Sequence, residues 1–327
     1  MWKAIPLAAL ITLSSVSHGY AQSPATGTGQ AYPNKPIRWV IPFAPGGGTD
    51  VIARPIANKL TERIGQHILY DNRGGGGGVI AGEIVARANP DGYTLLVAAV
   101  AVMTVTGSLQ KLPFDPIKDF APITKFASVP NLLAARMGLP VHKIQEIAPY
   151  ARANPGKLRW ALSGTGSAGT LSMELFRLTT GIDIVPIPYK GAGPALIAVL
   201  SNEADLLFAN PGVFMPHLNA GRLRAIGSAS LQRMTVLPDV PTFHESGFAG
   251  FDSSSWYGLA APARTPAAII AFLHKEVVAV LKHPEIIARL AQDGATPVGN
   301  TPQAFAQEIR SETAKWAKVI KDADIKN

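Results

Sequence analysis

One local pattern occurs in both halves of this chain and limits its possible folds more than any other feature: an apolar strand, a glycine loop and a helix start. In the first occurrence Ile37, Trp39 and Ile41 alternate with Arg38 and Val40 as a short buried strand. Pro42-Phe43-Ala44-Pro45 then stops ladder pairing, because proline brings no amide donor. Gly46-Gly47-Gly48 leaves room for a ligand to touch the main chain, and Thr49 and Asp50 suit a helix start. Apolar positions 51, 52, 56, 57 and 60 follow at helical spacing. The second occurrence runs through a strand over 158–163, the loop Gly164-Thr165-Gly166-Ser167-Ala168-Gly169 and a helix over 170–179. This geometry gathers unpaired N–H groups and a positive helix end at one spot, which favours an anion. An ordinary tight strand-to-helix turn carries the same signature, so the rest of the chain has to decide.

The rest alternates in the same way. Residues 68–70 read as a strand, and the five glycines 74–78 open onto a helix over 79–88. Strands are predicted over 93–102, 182–188, 204–209 and 223–228, with one extended segment over 123–135. Helices are predicted over 141–153 and 194–200. Residues 251–261 return the chain to its first domain, and helices over 267–281, 284–292 and 302–320 close it. Alternation at this spacing predicts an α/β fold with largely parallel sheets. Two lobes that each aim a helix N-terminus at a shared cleft suit a small anion gripped from both sides.

Length and composition set the address. A chain of 327 residues holds two domains of usual size. Met1-Trp2-Lys3, the apolar run 4–16 and the small-x-small site Gly19-Tyr20-Ala21 predict a signal peptide over 1–21, with a flexible lead-in over 22–32. The run is too short to span a membrane, and no later segment reaches about 18 apolar residues. The absence of cysteine excludes a lipid-anchored lipoprotein, disulfides and thiolate metal sites. A soluble protein exported to a bacterial periplasm is therefore expected. The net charge of +8, lowered by one when the segment carrying Lys3 leaves, comes from scattered Lys and Arg. No basic run interleaves with aromatics, so the charge serves attraction of small anions better than nucleic-acid binding.

Several motifs fail on inspection. Gly164-x-Gly166-x-x-Gly169 matches a dinucleotide fingerprint, yet the acid expected about 20 residues on, at the end of the next strand, is missing. Gly46-Gly47-Gly48 lacks the Lys-Ser/Thr pair of a Walker loop, and no Gly-x-Ser-x-Gly elbow occurs. The histidines contain no His-x-x-x-His pair. Asp50 and Asp205 could form an acid–base pair in a secreted hydrolase, but a helix cap and a turn account for them better. Trp256-Tyr257 could stack on an aromatic ligand, but an apolar core position accounts for the pair better. No catalytic residue, metal or cofactor is expected.

The residues nevertheless carry a recognisable pattern. Pro42-Phe43-x-Pro45-Gly46-Gly47-x-x-Asp50, Ala88-x-Pro90-Asp91-Gly92-Tyr93-Thr94-Leu95, Ala153-Asn154-Pro155-Gly156-Lys157 and Pro188-Tyr189-Lys190-Gly191 belong to it. So do Gly221-Arg222-Leu223-Arg224-Ala225, Leu237-Pro238-Asp239-Val240-Pro241-Thr242 and Trp256-x-Gly258-Leu259-x-Ala261-Pro262. In these stretches the chain resembles the Bug (TctC-like) substrate-binding proteins of tripartite tricarboxylate transporters, over essentially its whole mature length. The resemblance implies a two-lobed periplasmic binding protein of type II-like α/β architecture, each lobe a mixed sheet flanked by helices, with the ligand cleft between them. Residues 33–130 and 252–327 would form domain 1, and 131–251 domain 2. It further implies a protein without cofactor that captures an organic carboxylate and delivers it to membrane permease subunits. A cleft ligand that touches both lobes closes them by a hinge, and a monomer is the default for a diffusing carrier. A receptor that signals through a membrane sensor is the alternative.

By the same resemblance, the loops that match residues 43–50 and 163–170 hold a ligand carboxyl group through backbone amides and bridging water, with Tyr189, Gly191 and Asp205 on the facing lobe. The expected site therefore comprises Phe43, Ala44, Gly46, Gly47, Gly48 and Asp50 from the first loop and Ser163, Gly166, Ser167 and Thr170 from the second. Tyr189, Gly191, Asp205 and Asn210 complete it. Many relatives carry histidine at Thr170 and an acid at Ala209, and the run 97–105 is more apolar here. These departures point to a bulkier or partly apolar carboxylate.

Overall fold

A computed structural model describes residues 1–2, 32–43, 45, 48–164, 166–189 and 191–325. Residues 3–31, which hold nearly all of the predicted signal peptide and lead-in, lie outside the described residues, as do Ala44, Gly46, Gly47, Thr165 and Lys190.

The chain opens with β1 (Ile37–Ile41), α1 (Gly48–Ile64), β2 (Ile68–Asn72), α2 (Val79–Ala86) and β3 (Thr94–Ala99). A π-helical turn, Ala101–Val105, runs on into the short α3 (Thr106–Leu109), and β4 (Phe120–Pro130) follows. The next stretch holds β5 (Leu132–Arg136), α4 (Ile144–Ala153), β6 (Arg159–Leu162), α5 (Ala168–Thr180) and β7 (Val185–Pro188). It continues through α6 (Ala192–Leu200), β8 (Leu206–Ala209), α7 (Pro211–Asn219) and β9 (Leu223–Ser228). The chain ends with β10 (Ser254–Pro262), α8 (Ala267–Leu281), α9 (Pro284–Gln292), β11 (Thr296–Pro297) and α10 (Pro302–Asp322).

These strands form two mixed sheets, one in the order β11-β4-β10-β3-β1-β2 and one in the order β7-β6-β8-β5-β9. In the first, β1 pairs in parallel with β2 and β3, and β10 runs antiparallel to β3 and β4. The second repeats the plan: β6 pairs in parallel with β7 and β8, and β5 runs antiparallel to β8 and β9. In each sheet the chain leaves the founding strand to one side and returns on the other. That reversal opens a crevice at the carboxyl ends of β1 and β3, and another at those of β6 and β8, the usual place for a ligand in such sheets.

Both sheets are buried on both faces, which their near-continuous apolar strands require. In the first sheet Trp39 of β1 stacks on Phe126 of β4, with ring centroids 5.4 Å apart. In the second, Leu133, Leu206 and Phe208 face a cluster built on Trp160, Phe176 and Phe243, while Leu132, Leu207 and Ala209 face the opposite side. Phe243 and Phe251 stack at 4.6 Å. The alternation of strand residues between two apolar layers fixes the register, because a slip of one would exchange the layers.

The structure corrects the sequence reading in three places. The single extended segment expected over 123–135 is two strands in different sheets, broken at Asn131. Asn131 is fully buried, and its Nδ2 donates to the Ser253 carbonyl at 2.5 Å and to Ser172 Oγ at 3.1 Å. Its own carbonyl accepts from Ala229 N at 2.8 Å, so this residue fastens the crossing between the sheets. The strand expected over 93–102 stops at Ala99 and turns helical, which an apolar run cannot signal by periodicity. Helix α7, with Pro216 inside it, and the two-residue β11 were not expected.

Candidate functional site

Between the sheets lies a cleft of about 950 Å³. Its walls come from the loops at the carboxyl ends of all six parallel strands. The first sheet supplies Phe43, Pro45 and Gly48 after β1, Gly76 and Gly77 after β2, and Val100, Ala101 and Thr106 after β3. The second supplies Ser163, Gly164, Gly166 and Ser167 after β6, Gly191 and Ala192 after β7, and Asn210, Gly212 and Val213 after β8. Asn131 and residues 255–257 of β10 form part of the remaining wall.

Each loop is fixed by bonds that its sequence makes possible. After β6, Gly164 and Gly166 take φ of 113° and 70°, backbone that side-chain-bearing residues avoid. Ser167 caps α5 by accepting from Thr170 N at 3.2 Å, and its hydroxyl lies 2.9 Å from that of Ser163. Thr170 Oγ1 accepts from Ser167 Oγ at 3.0 Å and donates to the Gly164 carbonyl at 2.9 Å. After β1, Asn72 Nδ2 holds the Phe43 carbonyl at 2.9 Å. A Cβ on Gly48 would stand 2.6 Å from Tyr257 Oη and 3.1 Å from Asn210 Nδ2, so the first turn of α1 meets both sheets at close range. Tyr257 Oη accepts from Asn210 Nδ2 at 3.2 Å, and Ser255 Oγ donates to Asn210 Oδ1 at 3.3 Å. Burial pushes the Tyr257 hydroxyl well above its ordinary titration range, so it stays neutral.

The electrostatics of the wall are unusual for an anion site. Among the described residues that line it, none is Lys, Arg or His, and Asp293 is the one charged side chain. An anion here is met by neutral hydroxyls and amides, exposed loop backbone and the amino ends of α1 and α5. Val51, Ile52, Val100, Leu109 and Val213 make a large part of the wall apolar.

Seven of the expected site residues line the cleft: Phe43, Gly48, Ser163, Gly166, Ser167, Gly191 and Asn210. Ala44, Gly46 and Gly47 lie outside the described residues. The remaining four are not among the lining residues. Asp50 is buried and bonded by Arg54 Nη2 at 2.7 Å. Thr170 spends its hydroxyl on the loop. Tyr189 packs on the core that includes Ala195, Val199 and Leu207. Asp205 is 2% exposed and accepts from Arg136 Nε at 2.6 Å and from Arg159 N at 2.8 Å. Burial pushes the Asp205 carboxyl up, but bonds from Arg159 and Arg136 outweigh it and hold it below the usual carboxylate range. Asp50 and Asp205 are thus each tied to arginine, and the structure forms no acid–base pair from them.

Sequence reasoning missed Gly76, Gly77, Asn131, Tyr257 and Asp293. The glycine run was visible, and its four positive-φ positions, 75 to 78, explain why glycine recurs there. Tyr257 was read as core, and it is buried while also facing the cleft. Asp293 sits in no motif.

A family model described as the tripartite tricarboxylate transporter family receptor matches residues 52–325. This chain belongs to that family. The receptor family includes relatives of known structure: one described as a periplasmic transporter is 41% identical, with a TM-score of 0.81, over 90% of this chain and 99% of the other. A second, Rpa4515 of R. palustris solved with adipate, is 36% identical with a TM-score of 0.81, again over 90% and 99%. BugT of Bordetella pertussis is 35% identical over 297 residues, 90% of this chain and 91% of BugT. Members of the receptor family are periplasmic solute-binding proteins rather than enzymes, and the two-lobed α/β fold described above is theirs. Among the described residues no helix is long and apolar enough to cross a membrane.

Proposed function

We propose that this protein captures an organic carboxylate in the cleft between its sheets and passes it to the membrane subunits of a tripartite tricarboxylate transporter. The observation that carries this reading is the convergence of six strand-end loops, two of them leading into the amino ends of α1 and α5, on a cleft whose described lining contains no cationic side chain. Such a wall holds a carboxylate by neutral donors and helix ends, with ordered water able to bridge the gaps. The adipate in Rpa4515, 36% identical to this chain, supports the ligand class. Ala209 and the apolar residues of the wall favour a carboxylate with an apolar body.

The exported form begins after a signal peptide over 1–21 and acts as a monomer. Its lobes are residues 33–130 with 252–327, and residues 131–251, a division supported by the membership of the two sheets. The loop residues Ala44, Gly46 and Gly47 join Phe43 and Gly48 in holding the carboxyl group. A thermal-shift screen against aliphatic and aromatic mono-, di- and tricarboxylates tests the proposal. A ligand at a hundred times its Kd adds about 2.7 kcal/mol of stability, enough for a clear shift. Stabilisation by sugars or nucleotides and by no carboxylate would overturn it.

A further inference from the structure

Resting on the carboxylate reading, we infer that Asp293 sets the ligand's second end: it selects a hydrogen-bond donor, a hydroxyl or an ammonium group, and discriminates against a second carboxylate. Asp293 caps the carboxyl end of α9, with its N–H on the Leu290 carbonyl at 3.0 Å, and lines the cleft. It faces the first turn of α7, where a Cβ on Gly212 would stand 3.5 Å from Oδ1. Its neighbour Gly294 is pressed against Pro211, so closely that a Cβ on this glycine would stand 2.7 Å from the proline ring. The turn after α9 therefore closes the cleft against α7, beside the loop that carries Asn210.

The two carboxylate oxygens have different surroundings. Oδ2 accepts from Arg289 Nη1 at 2.8 Å, whereas Oδ1 has no hydrogen-bond partner among the described residues. Arg289 is not among the lining residues, so a ligand in the cleft meets the carboxylate and not the guanidinium. Burial pushes the Asp293 carboxyl up, against the pull of Arg289, which is the signature of a charge that lacks full solvation. A donor on the ligand restores that solvation. A second carboxylate meets like charge in a wall with no described cation to offset it.

The test uses the chain from residue 22, since residues 33–327 form one compact unit. Two matched probe series are titrated calorimetrically: hexanoate, 6-hydroxyhexanoate, 6-aminohexanoate and adipate, then 4-methyl-, 4-hydroxy- and 4-(aminomethyl)benzoate and terephthalate. In at least one series the hydroxy or amino compound binds tenfold or more tighter than the dicarboxylate, and Asp293→Asn brings that ratio to within about threefold. Arg289→Gln removes the same ion pair while keeping the carboxylate, and it retains the preference. A dicarboxylate that binds the unaltered protein as tightly as its donor-bearing partners overturns the role of Asp293. An unchanged ratio in Asp293→Asn, or an equal loss in Arg289→Gln, does the same. Absence of binding across both series overturns the carboxylate reading itself, a result separable from the others.

Discussion

Replacing Asp205 with asparagine separates what the sequence suggests for this residue from what the structure assigns to it. The carboxylate accepts from Arg136 Nε at 2.6 Å, from Arg159 N at 2.8 Å and from the Arg159 guanidinium at 3.1 and 3.2 Å. It joins the start of β8 to the end of β5 and the start of β6. The substitution keeps the shape but leaves two guanidinium groups facing a neutral amide. Removing one partner of a buried pair costs about 3–5 kcal/mol, and the part-exposed arginines, which regain water, place this case near the lower figure, about 3 kcal/mol. For a chain of this length that is a fall in Tm of roughly 6 °C. The pH dependence follows from the depressed carboxyl: its stabilisation is complete above the unfolded-state value near 4 and is lost as pH falls through the lower folded value. The gap between the two proteins is therefore full at pH 7 and narrows below about pH 4. Calorimetric melts at several pH values measure it, and carboxylate titration supplies the second axis, where affinity holds to within about threefold. Lost binding with an unchanged Tm would refute the reasoning and return Asp205 to the ligand site.

Other expectations are simpler. Gly48→Ala places a methyl 2.6 Å from Tyr257 Oη and beside the Asn210 amide, so ligand affinity falls at least tenfold while the melting temperature moves by less than about 3 °C, as titration and melts on one preparation will show. Asn131→Ala empties a buried site that bonds Ser253 and Ser172, costing about 2–4 kcal/mol in chemical denaturation; a loss under 1 kcal/mol would mean the crossing is held elsewhere.

Much of this architecture could be read from the chain. The two strand–glycine–helix units stood out because proline ends each pairing run or glycine releases it, and those are local steric facts. Ser163 and Ser167 were expected at the site through the family resemblance, and both line the cleft. What escaped has non-local causes. Whether 123–135 is one strand or two depends on Asn131 meeting Ser172 and Ser253, residues 41 and 122 positions away. Asp205 was placed in the site by the family resemblance, and only the folded sheet shows two arginines already holding it. Tyr257 alternates correctly for core, yet its hydroxyl end emerges in the cleft, a distinction that burial patterns along one strand do not make. Asp293 reaches the cleft through the packing of α9 on α1 and of Gly294 on Pro211, which no local motif encodes.

The position of β10 carries a consequence for the order in which the molecule is made. It lies between β3 and β4 and pairs with both, yet it begins at residue 254, long after β4 ends at Pro130. Until it emerges, the first sheet has a vacant slot and two unsatisfied strand edges. The strands of the second sheet all lie within residues 132–228, and the aromatic residues that complete its core, Phe243 and Phe251, still precede β10. A chain delivered amino end first therefore builds its later lobe before its earlier one, and the first strands it presents are among the last to find their partners.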